Sequence, residues 1–281
     1  MQLTRERRKP LSGRWAGALV GAVAALLAVG CGGAHGQQST PASSGTPKAG
    51  GPPYVSFTAY PGWIQASIPP SKFDYTPWTI INDFGLWPTA TGGIAVGEGG
   101  LGSSFVGGAS PQYRTSLVNN IVSYVSRYGF DGVDIDWEEY VPPNQANYVA
   151  LIKNLRSALN ARITARHMYL ATEVNTGQIP PDIATQVSPY VDSINVETFQ
   201  DNGLSSIAAY TRAGIPASKL LLGIGVTSGY YDSTQARVAA KVKYVEDHGL
   251  KGTLLWQPGA LNTYRTDPRL IPLRQMVSIS R

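Results

Sequence analysis

One stretch of the chain alternates acidic and apolar residues, and it constrains the fold more than any other. In residues 128–140, which read YGFDGVDIDWEEY, Asp134, Asp136 and Glu138 alternate with Val, Ile and Trp. Strict alternation predicts a β-strand, because successive side chains of a strand point to opposite faces. One face then carries three carboxylates at steps of roughly 6.6 Å, and the other can pack under helices. Buried carboxylates are costly unless they are hydrogen-bonded, protonated or used in chemistry, so we expect a functional role.

Four acids at fixed spacing, Asp131, Asp134, Asp136 and Glu138, form the pattern DxxDxDxE. A calcium loop, a metal-binding Asp-x-Asp of a glycosyltransferase and a structural strand without chemistry are alternative interpretations. A calcium loop of the EF-hand type would need glycine at its sixth position and no Ile or Trp between its ligands. The pattern, preceded by an aromatic residue, Gly and Phe, resembles the signature of the family 18 glycoside hydrolases, the chitinase-like (β/α)8 barrels. We favour this last interpretation.

Strand-like and helix-like stretches alternate beyond residue 52, which is the pattern of a parallel α/β fold. The acidic strand is the fourth of eight, and the others are predicted at residues 54–60, 78–86, 94–97, 167–175, 192–199, 219–226 and 252–257. Helices are predicted between them, one ended by Gly129 and another by Gly249. We therefore expect a single TIM-type (β/α)8 barrel. Only about eight residues separate the second and third strands, too few for a parallel crossover, so the barrel should be irregular there.

The N-terminal region has the composition of a targeting segment. Residues 1–30 combine a basic start with an apolar run at residues 16–29, which is too short to span a membrane and suits a signal peptide. The run ends just before Cys31, the only cysteine, in a context that resembles a bacterial lipobox. We expect lipidation of Cys31 and an extracytoplasmic protein anchored to the membrane through that lipid alone. Cleavage followed by free secretion is the alternative.

The remaining regions are a linker and the folded domain. Residues 31–51 are rich in Gly, Ser, Thr and Pro, which predicts a flexible linker, and residues 52–281 are assigned to the barrel. Residues 1–30 hold five basic residues and one acidic residue, so the formal charge of the remainder falls from +5 to +1. This charge gives no reason to expect nucleic-acid binding. We expect a monomer without disulfides.

The resemblance assigns roles to the acidic residues. It implies that Glu138 is the general acid, and that Asp136 orients the substrate's acetamido group while sharing a proton with Asp134. A carboxylic acid can act near neutral pH when neighbouring carboxylates raise its pKa. Asp131 and Gly132 belong to the motif without a chemical role. The substrate's own acetamido oxygen then acts as the nucleophile, because this family is an exception to the scheme with two catalytic carboxylates.

Other positions depart from the family pattern on the sixth strand, where Met-x-Tyr-Asp is usual. Phe199 lacks the hydroxyl that helps to hold the acetamido group, and Gln200 lacks the usual charge. Glu197 shares the face of Phe199, and we hypothesise that it joins the acidic cluster; pairing with a nearby Arg or Lys is the alternative. Trp256, at the end of the eighth strand, is the expected sugar-stacking residue. We assign Phe199, Gln200, Glu197 and Trp256 to substrate binding.

The sequence thus predicts a glycosidase that cleaves β-1,4 bonds of N-acetylglucosamine polymers such as chitin by substrate-assisted retaining catalysis. A chitinase-like protein that binds such sugars without cutting them, and an N-acetylglucosaminidase directed at peptidoglycan, remain as alternatives. We expect no metal and no organic cofactor, because the three histidines are scattered without ligand spacing.

Overall fold

The computed structural model describes residues 2–6, 54–96 except 67, 74, 76 and 77, 105–163 except 140, 165–256 and 267–279. The strands are β1 (Gln2–Glu6), β2 (Val55–Pro61), β3 (Ile80–Phe84), β4 (Leu86–Pro88), β5 (Ile94–Val96), β6 (Gly132–Asp136), β7 (Tyr169–Val174), β8 (Ser193–Val196), β9 (Leu220–Gly225) and β10 (Gly252–Trp256). The helices are α1 (Phe105–Gly108), α2 (Arg114–Tyr128), α3 (Gln145–Arg162), α4 (Pro181–Val187), α5 (Leu204–Arg212), α6 (Gln235–His248) and α7 (Ile271–Ile279).

Seven parallel strands form a nearly closed barrel, which confirms the predicted α/β barrel class. Their order is β3-β2-β10-β9-β8-β7-β6, and β1 completes the circle by pairing antiparallel with both β3 and β6. The helices alternate with the strands from β6 onward. Because the seven strands are parallel, their carboxyl ends meet at one mouth of the barrel, which is where barrel enzymes place their active sites.

The predicted third barrel strand at residues 94–97 is wrong. Ile94–Val96 instead pairs antiparallel with Leu86–Pro88, outside the barrel. The chain leaves the barrel at Gly85, whose φ of 145° lies in a region that favours glycine. A short connection cannot carry the chain back to the start of a parallel neighbour, so it forms a hairpin, which needs few residues. The irregularity expected between the second and third strands is therefore present.

The sequence patterns that predicted the helices are confirmed. Leu117, Ile121 and Val125 are fully buried on one face of α2, and Gly129 ends this helix in the left-handed conformation, with φ 68°. Gly249 ends α6 in the same way, with φ 61°. Such glycines are common helix ends, because they reach positive φ without the steric cost of a Cβ.

The targeting segment stays a prediction. The apolar run at residues 16–29, Cys31 and the linker at residues 31–51 lie outside the described residues. Residues 2–6, assigned from the sequence to the signal peptide, are the strand β1. None of the helices that the structure describes is long and apolar enough to cross a membrane.

The interior of the barrel contains both apolar and polar side chains. The buried members of one apolar cluster are Phe57, Ile80, Tyr169, Ala171, Leu221 and Leu254. Buried polar side chains include Asn82 on β3, Asp134 on β6 and Asn195 on β8. Polar groups are therefore buried in the barrel beside an apolar cluster.

Candidate active site

Strand β6 places the acidic motif as the alternation predicted. Val133, Ile135 and Trp137 are buried on the outer face, at 1% exposure or less. On the inner face, Asp134 is fully buried and Asp136, at the end of the strand, is half-buried. The third acid of the series, Glu138, follows the strand and is exposed. The depth of these acids thus decreases towards the mouth of the barrel, and Glu138 is accessible to a substrate.

Two asparagines hold the buried carboxylate of Asp134. Its Oδ2 accepts hydrogen bonds from Asn82 Nδ2 at 2.8 Å and from Asn195 Nδ2 at 3.1 Å. Ser193 Oγ donates to Asn195 Oδ1 at 2.9 Å, which orients the amide so that its NH2 faces the aspartate. Sequence reasoning missed both asparagines, although an Asn inside an otherwise apolar strand is a signal of an inward polar site.

Two further acids join the cluster from the neighbouring strands. Glu173 on β7 lies beside Asp136 in the strand register and is 5% exposed. Glu197 follows β8, and Asn175 Nδ2 donates to its Oε2 at 3.1 Å. Carboxylate oxygens of Asp136, Glu173 and Glu197 all lie within 4.8 Å of one another. The structure therefore brings the predicted Glu197 into the acidic cluster, together with Glu173, to which the sequence assigned no role.

Burial raises the pKa values of the clustered acids. It raises the pKa of Asp134 to about 6, against hydrogen bonds from Glu173 and Asn82 that lower it. The pKa of Asp136 is raised well above its ordinary range by burial and by the charges of Glu197, Glu138 and Asp134.

The two additional glutamates are shifted in the same direction. The pKa of Glu173 is raised well above its ordinary range by burial and by the charges of Asp134, Asp136 and Glu197. The pKa of Glu197 is raised by burial, whereas hydrogen bonds from Asn175 and Glu173 lower it. Four interacting acids at this spacing titrate as one set and share protons.

Three convergent carboxyl groups are also a geometry that a cation can occupy. Such groups are common without an ion, and protons can neutralise acids whose pKa values are raised, as those of Asp136 and Glu173 are. We assign no metal ligand here, and the absence of a metal or cofactor stays a prediction.

An aromatic pair lies at the carboxyl ends of the strands, with Phe199 after β8 and Trp256 at the end of β10. The rings of Phe199 and Trp256 have centroids 6.4 Å apart and are inclined by 30°, and Tyr230 lies 5.8 Å from Phe199. Phe199 and Trp256 are both half-buried, so part of each ring faces outward. A Cβ at Gly225 would come within 2.9 Å of Phe199 and 3.0 Å of Tyr230, so glycine is needed for this packing. Flat, partly exposed rings are suited to stacking against sugars.

A buried lysine fixes the strand ends beneath Phe199. Lys241 Nζ on α6 donates to the carbonyl oxygens of Thr198 at 2.6 Å and Gly223 at 2.9 Å, and to Asp232 Oδ2 at 2.8 Å. The same carboxylate oxygen accepts from Gly225 N at 2.8 Å. Sequence reasoning missed this contact, because a lysine in a helix is usually exposed.

The remaining predicted residues lie away from the acids or outside the described part. Gln200 is exposed on the loop that follows Phe199. Asp131 precedes β6 at the opposite end from Glu138, and Gly132 begins that strand. Arg166 Nε lies 3.5 Å from Asp131 Oδ1, which gives this motif residue a structural role. Cys31 lies outside the described residues.

A parallel barrel with several carboxyl groups at the ends of its strands is compatible with a glycoside hydrolase, because these enzymes use Asp and Glu side chains for catalysis. Residues 88–237 match the family model "Glycosyl hydrolases family 18". The match covers more than half of the chain, and the chain therefore belongs to this family.

Curated relatives and solved structures agree with this assignment. Chitinase A1 of Niallia circulans is 24% identical over 208 residues, 58% of this chain and 30% of that protein. A chitinase-like effector of Moniliophthora roreri is 21% identical over 250 residues, 66% of this chain and 59% of that protein. The chain therefore spans less than two thirds of the length of these relatives.

Among solved structures, a Group IV chitinase of Ostrinia furnacalis superposes with a TM-score of 0.66 at 14% identity, over 80% of this chain and 100% of that chain. A plant class V chitinase mutant from Cycas revoluta in complex with (GlcNAc)3 superposes with a TM-score of 0.65 at 17% identity, over 80% of this chain and 99% of that chain. At these identities the likeness shows the fold.

Proposed function

We propose that the chain is a glycosidase that cleaves β-1,4 bonds of N-acetylglucosamine polymers, with Glu138 as the general acid. The observation that carries the proposal is the position of Glu138, which is exposed at the mouth directly beyond the buried Asp134 and the half-buried Asp136. Membership of the glycoside hydrolase family supports a hydrolase, and the chitinases among its relatives support a chitin-type substrate.

The proposed reaction has two steps and retains the configuration. Glu138 gives its proton to the glycosidic oxygen as the bond to C1 breaks, while the substrate's acetamido oxygen attacks C1 and forms a cyclic intermediate. Asp136 faces the acetamido N–H and stabilises its developing charge. Water then attacks C1 and gives a proton to Glu138, while the bond between C1 and the acetamido oxygen breaks. This step restores the acid and the acetamido group and releases the sugar.

A chromogenic N,N′-diacetylchitobioside tests the proposal in wild type and in Glu138→Gln across pH. Removing a general acid should lower kcat by about 10²–10⁴-fold. Glu246→Gln, an exposed glutamate of α6, is the matched control and should retain full activity. Equal activity of wild type and Glu138→Gln would contradict the role of Glu138.

A second candidate function is a non-catalytic sugar-binding protein, and the missing hydroxyl of Phe199 favours it. In that case neither wild type nor Glu138→Gln turns over, while both bind chitooligosaccharides by calorimetry. If neither turnover nor binding occurs with chitin fragments, a peptidoglycan-directed N-acetylglucosaminidase becomes the candidate, and release of sugars from purified cell wall tests it.

The short connection between β9 and β10 supports an open substrate cleft. Only α6 and its short connections join these strands, which leaves no room for an additional α+β wall. We therefore propose endo-type cleavage of long chains. Product analysis should show mixed oligomers early in the reaction, and a single disaccharide product from the start would contradict this.

Lipid anchoring at Cys31, extracytoplasmic location and a monomeric state remain proposals. Labelling with a fatty acid should mark the wild-type chain and not Cys31→Ser, which should appear in the medium. Equal labelling of both would exclude this residue as the anchor. Light scattering of the purified domain reports its oligomeric state.

A further inference from the structure

Glu173 lies at the centre of the acidic cluster, between the two strands that carry the other acids. Strand β7 pairs with β6 on one side and β8 on the other, with Glu173 opposite Asp136 and Asn195. Its side chain is buried, and a carboxylate oxygen of Glu173 lies within 4.8 Å of carboxylate oxygens of Asp136 and Glu197. Among the described residues, no lysine, arginine or histidine forms an ion pair with it.

A buried carboxylate in this position has to keep a proton. An unpaired buried charge is very costly, and a buried carboxyl group usually becomes neutral instead. As a carboxylic acid, Glu173 has one O–H to donate, and its contacts lower the pKa values of Asp134 and Glu197, as expected of a donor. The charges of Asp134, Asp136 and Glu197 act on it directly, and the charge of Glu138 acts on Asp136 and Glu197.

One oxygen of the Asp134 carboxylate requires a hydrogen-bond donor. Its Oδ2 is held by two amide groups, whereas its buried Oδ1 accepts from no N–H or hydroxyl group of the described residues. A carboxylic acid proton from Asp136 or Glu173 can fill this place. If Asp136 fills it, Asp136 is turned away from the substrate.

We propose that Glu173 is a positioning residue of this active site, which donates a hydrogen bond to the neighbouring acids and so leaves Asp136 available to the substrate's acetamido group. The inference rests on the proposed function and concerns a residue that does not touch the substrate itself. Glu173 acts only while it is protonated, so its ionisation at high pH removes the donor and adds a charge beside Asp136.

Two variants of similar size separate this role from simple packing. Glu173→Gln keeps a donor that cannot ionise, and Glu173→Leu removes the donor. Activity of Glu173→Gln should stay within about tenfold of wild type near neutral pH, while Glu173→Leu should lose more, towards the 10²-fold that misplacing a catalytic group costs. The loss should fall on kcat rather than KM.

The pH profile gives the sharper readout. Because the amide cannot ionise, the alkaline limb of kcat/KM in Glu173→Gln should move to higher pH than in wild type. An unchanged alkaline limb, or equal losses in the two variants with unchanged profiles, would overturn the proposal. Circular dichroism and melting temperature check that both variants fold.

Infrared spectroscopy tests the proton without any substrate. The difference between wild type and Glu173→Gln at neutral pH should show the C=O stretch of a protonated carboxyl group in wild type, and its absence would overturn the proposal. If wild type does not turn over, the proposed glycosidase function fails, and this spectrum alone then decides whether Glu173 holds the proton.

Discussion

Glu197 and Thr198 are neighbours in the chain, yet they belong to two buried clusters that neutralise charge in different ways. Glu197 points into the barrel and shares protons with Asp136 and Glu173. The carbonyl oxygen of Thr198 accepts from the ammonium group of Lys241, which also pairs with Asp232. One cluster is therefore neutralised by protons that can leave, and the other by a fixed cation.

The difference separates a reactive site from its support. Lys241 makes three hydrogen bonds and is 2% exposed, so its position is fixed by the fold. Burial lowers the pKa of Lys241 and raises that of Asp232, while their contact opposes both shifts. In the acidic cluster no cation of the described residues pairs with Glu173, and its charge state follows the pH.

Replacing Lys241 by Met should have the largest effect on stability. It leaves Asp232 buried without its ionic partner, and breaking one side of a buried pair costs about 3–5 kcal/mol. Chemical denaturation measures the loss. Lys243→Met is the matched control, because this lysine of the same helix is exposed and pairs with Asp247 at the surface. Equal stability of the two variants would show that the buried pair does not support the fold.

The acidic cluster should make the protein less stable as the pH rises. Burial raises the pKa of Asp134 from 3.8 to about 6, so the folded state binds this proton more tightly than the unfolded state. Its contribution is complete below pH 4 and is lost as the pH rises through about 6, a change of about 3 kcal/mol for two pKa units.

Asp134→Asn should remove much of this dependence. Its amide oxygen can still accept from Asn82 and Asn195, and it cannot ionise. Denaturation between pH 4.5 and 8 should give a flatter curve for the variant, with a gain at neutral pH and a loss of activity. Parallel curves for the two proteins would show that Asp134 does not titrate in this range.

The two buried clusters also show which features could be predicted from the sequence. The buried face of α2, the helix ends at Gly129 and Gly249, and the alternation in β6 depend on neighbours in the chain, and all were predictable. The ion pair of Lys241 with Asp232 joins residues that only the folded barrel brings together. The same is true of the hydrogen bonds of Asp134 with Asn82 and Asn195. Local pattern contains no signal for these partners.

The wrong third strand has the same origin. Residues 94–97 have the composition of a strand, and Ile94–Val96 do form one, but pairing depends on the length of the connection and on the turn at Gly85. Glu173 was visible in the sequence as an acid within an apolar strand. Its role could not be assigned, because its proximity to Asp136 and Glu197 follows from the strand register.

Replacing Phe199 by Tyr restores the hydroxyl that the family pattern has at this position. We expect it to increase activity, with a smaller effect than the two substitutions in the buried clusters. The backbone beside Phe199 is fixed by the contact of Lys241 with Thr198, so a hydroxyl in Phe199→Tyr enters at a defined place. One additional hydrogen bond to the acetamido group is worth about 1 kcal/mol, or up to about tenfold in kcat/KM. Assays with the chromogenic substrate measure this increase, and Tyr128→Phe, which removes an exposed hydroxyl, is the control. A decrease would show that the site does not hold the acetamido group in this way.

Tyr148→Phe should have the smallest effect on stability. It tests whether the outer face of the strands influences the acids on the inner face. Thr172 Oγ1 donates to Ile135 O at 2.8 Å and lies 2.9 Å from Tyr148 OH, so the phenol is the donor in that contact. This chain of hydrogen bonds joins β6 to β7 on the outer face, opposite the acids. Removing the hydroxyl should cost about 1 kcal/mol in unfolding free energy and leave the pH profile of activity unchanged. A shifted profile would mean that the outer face also sets the protonation of Asp136 and Glu173.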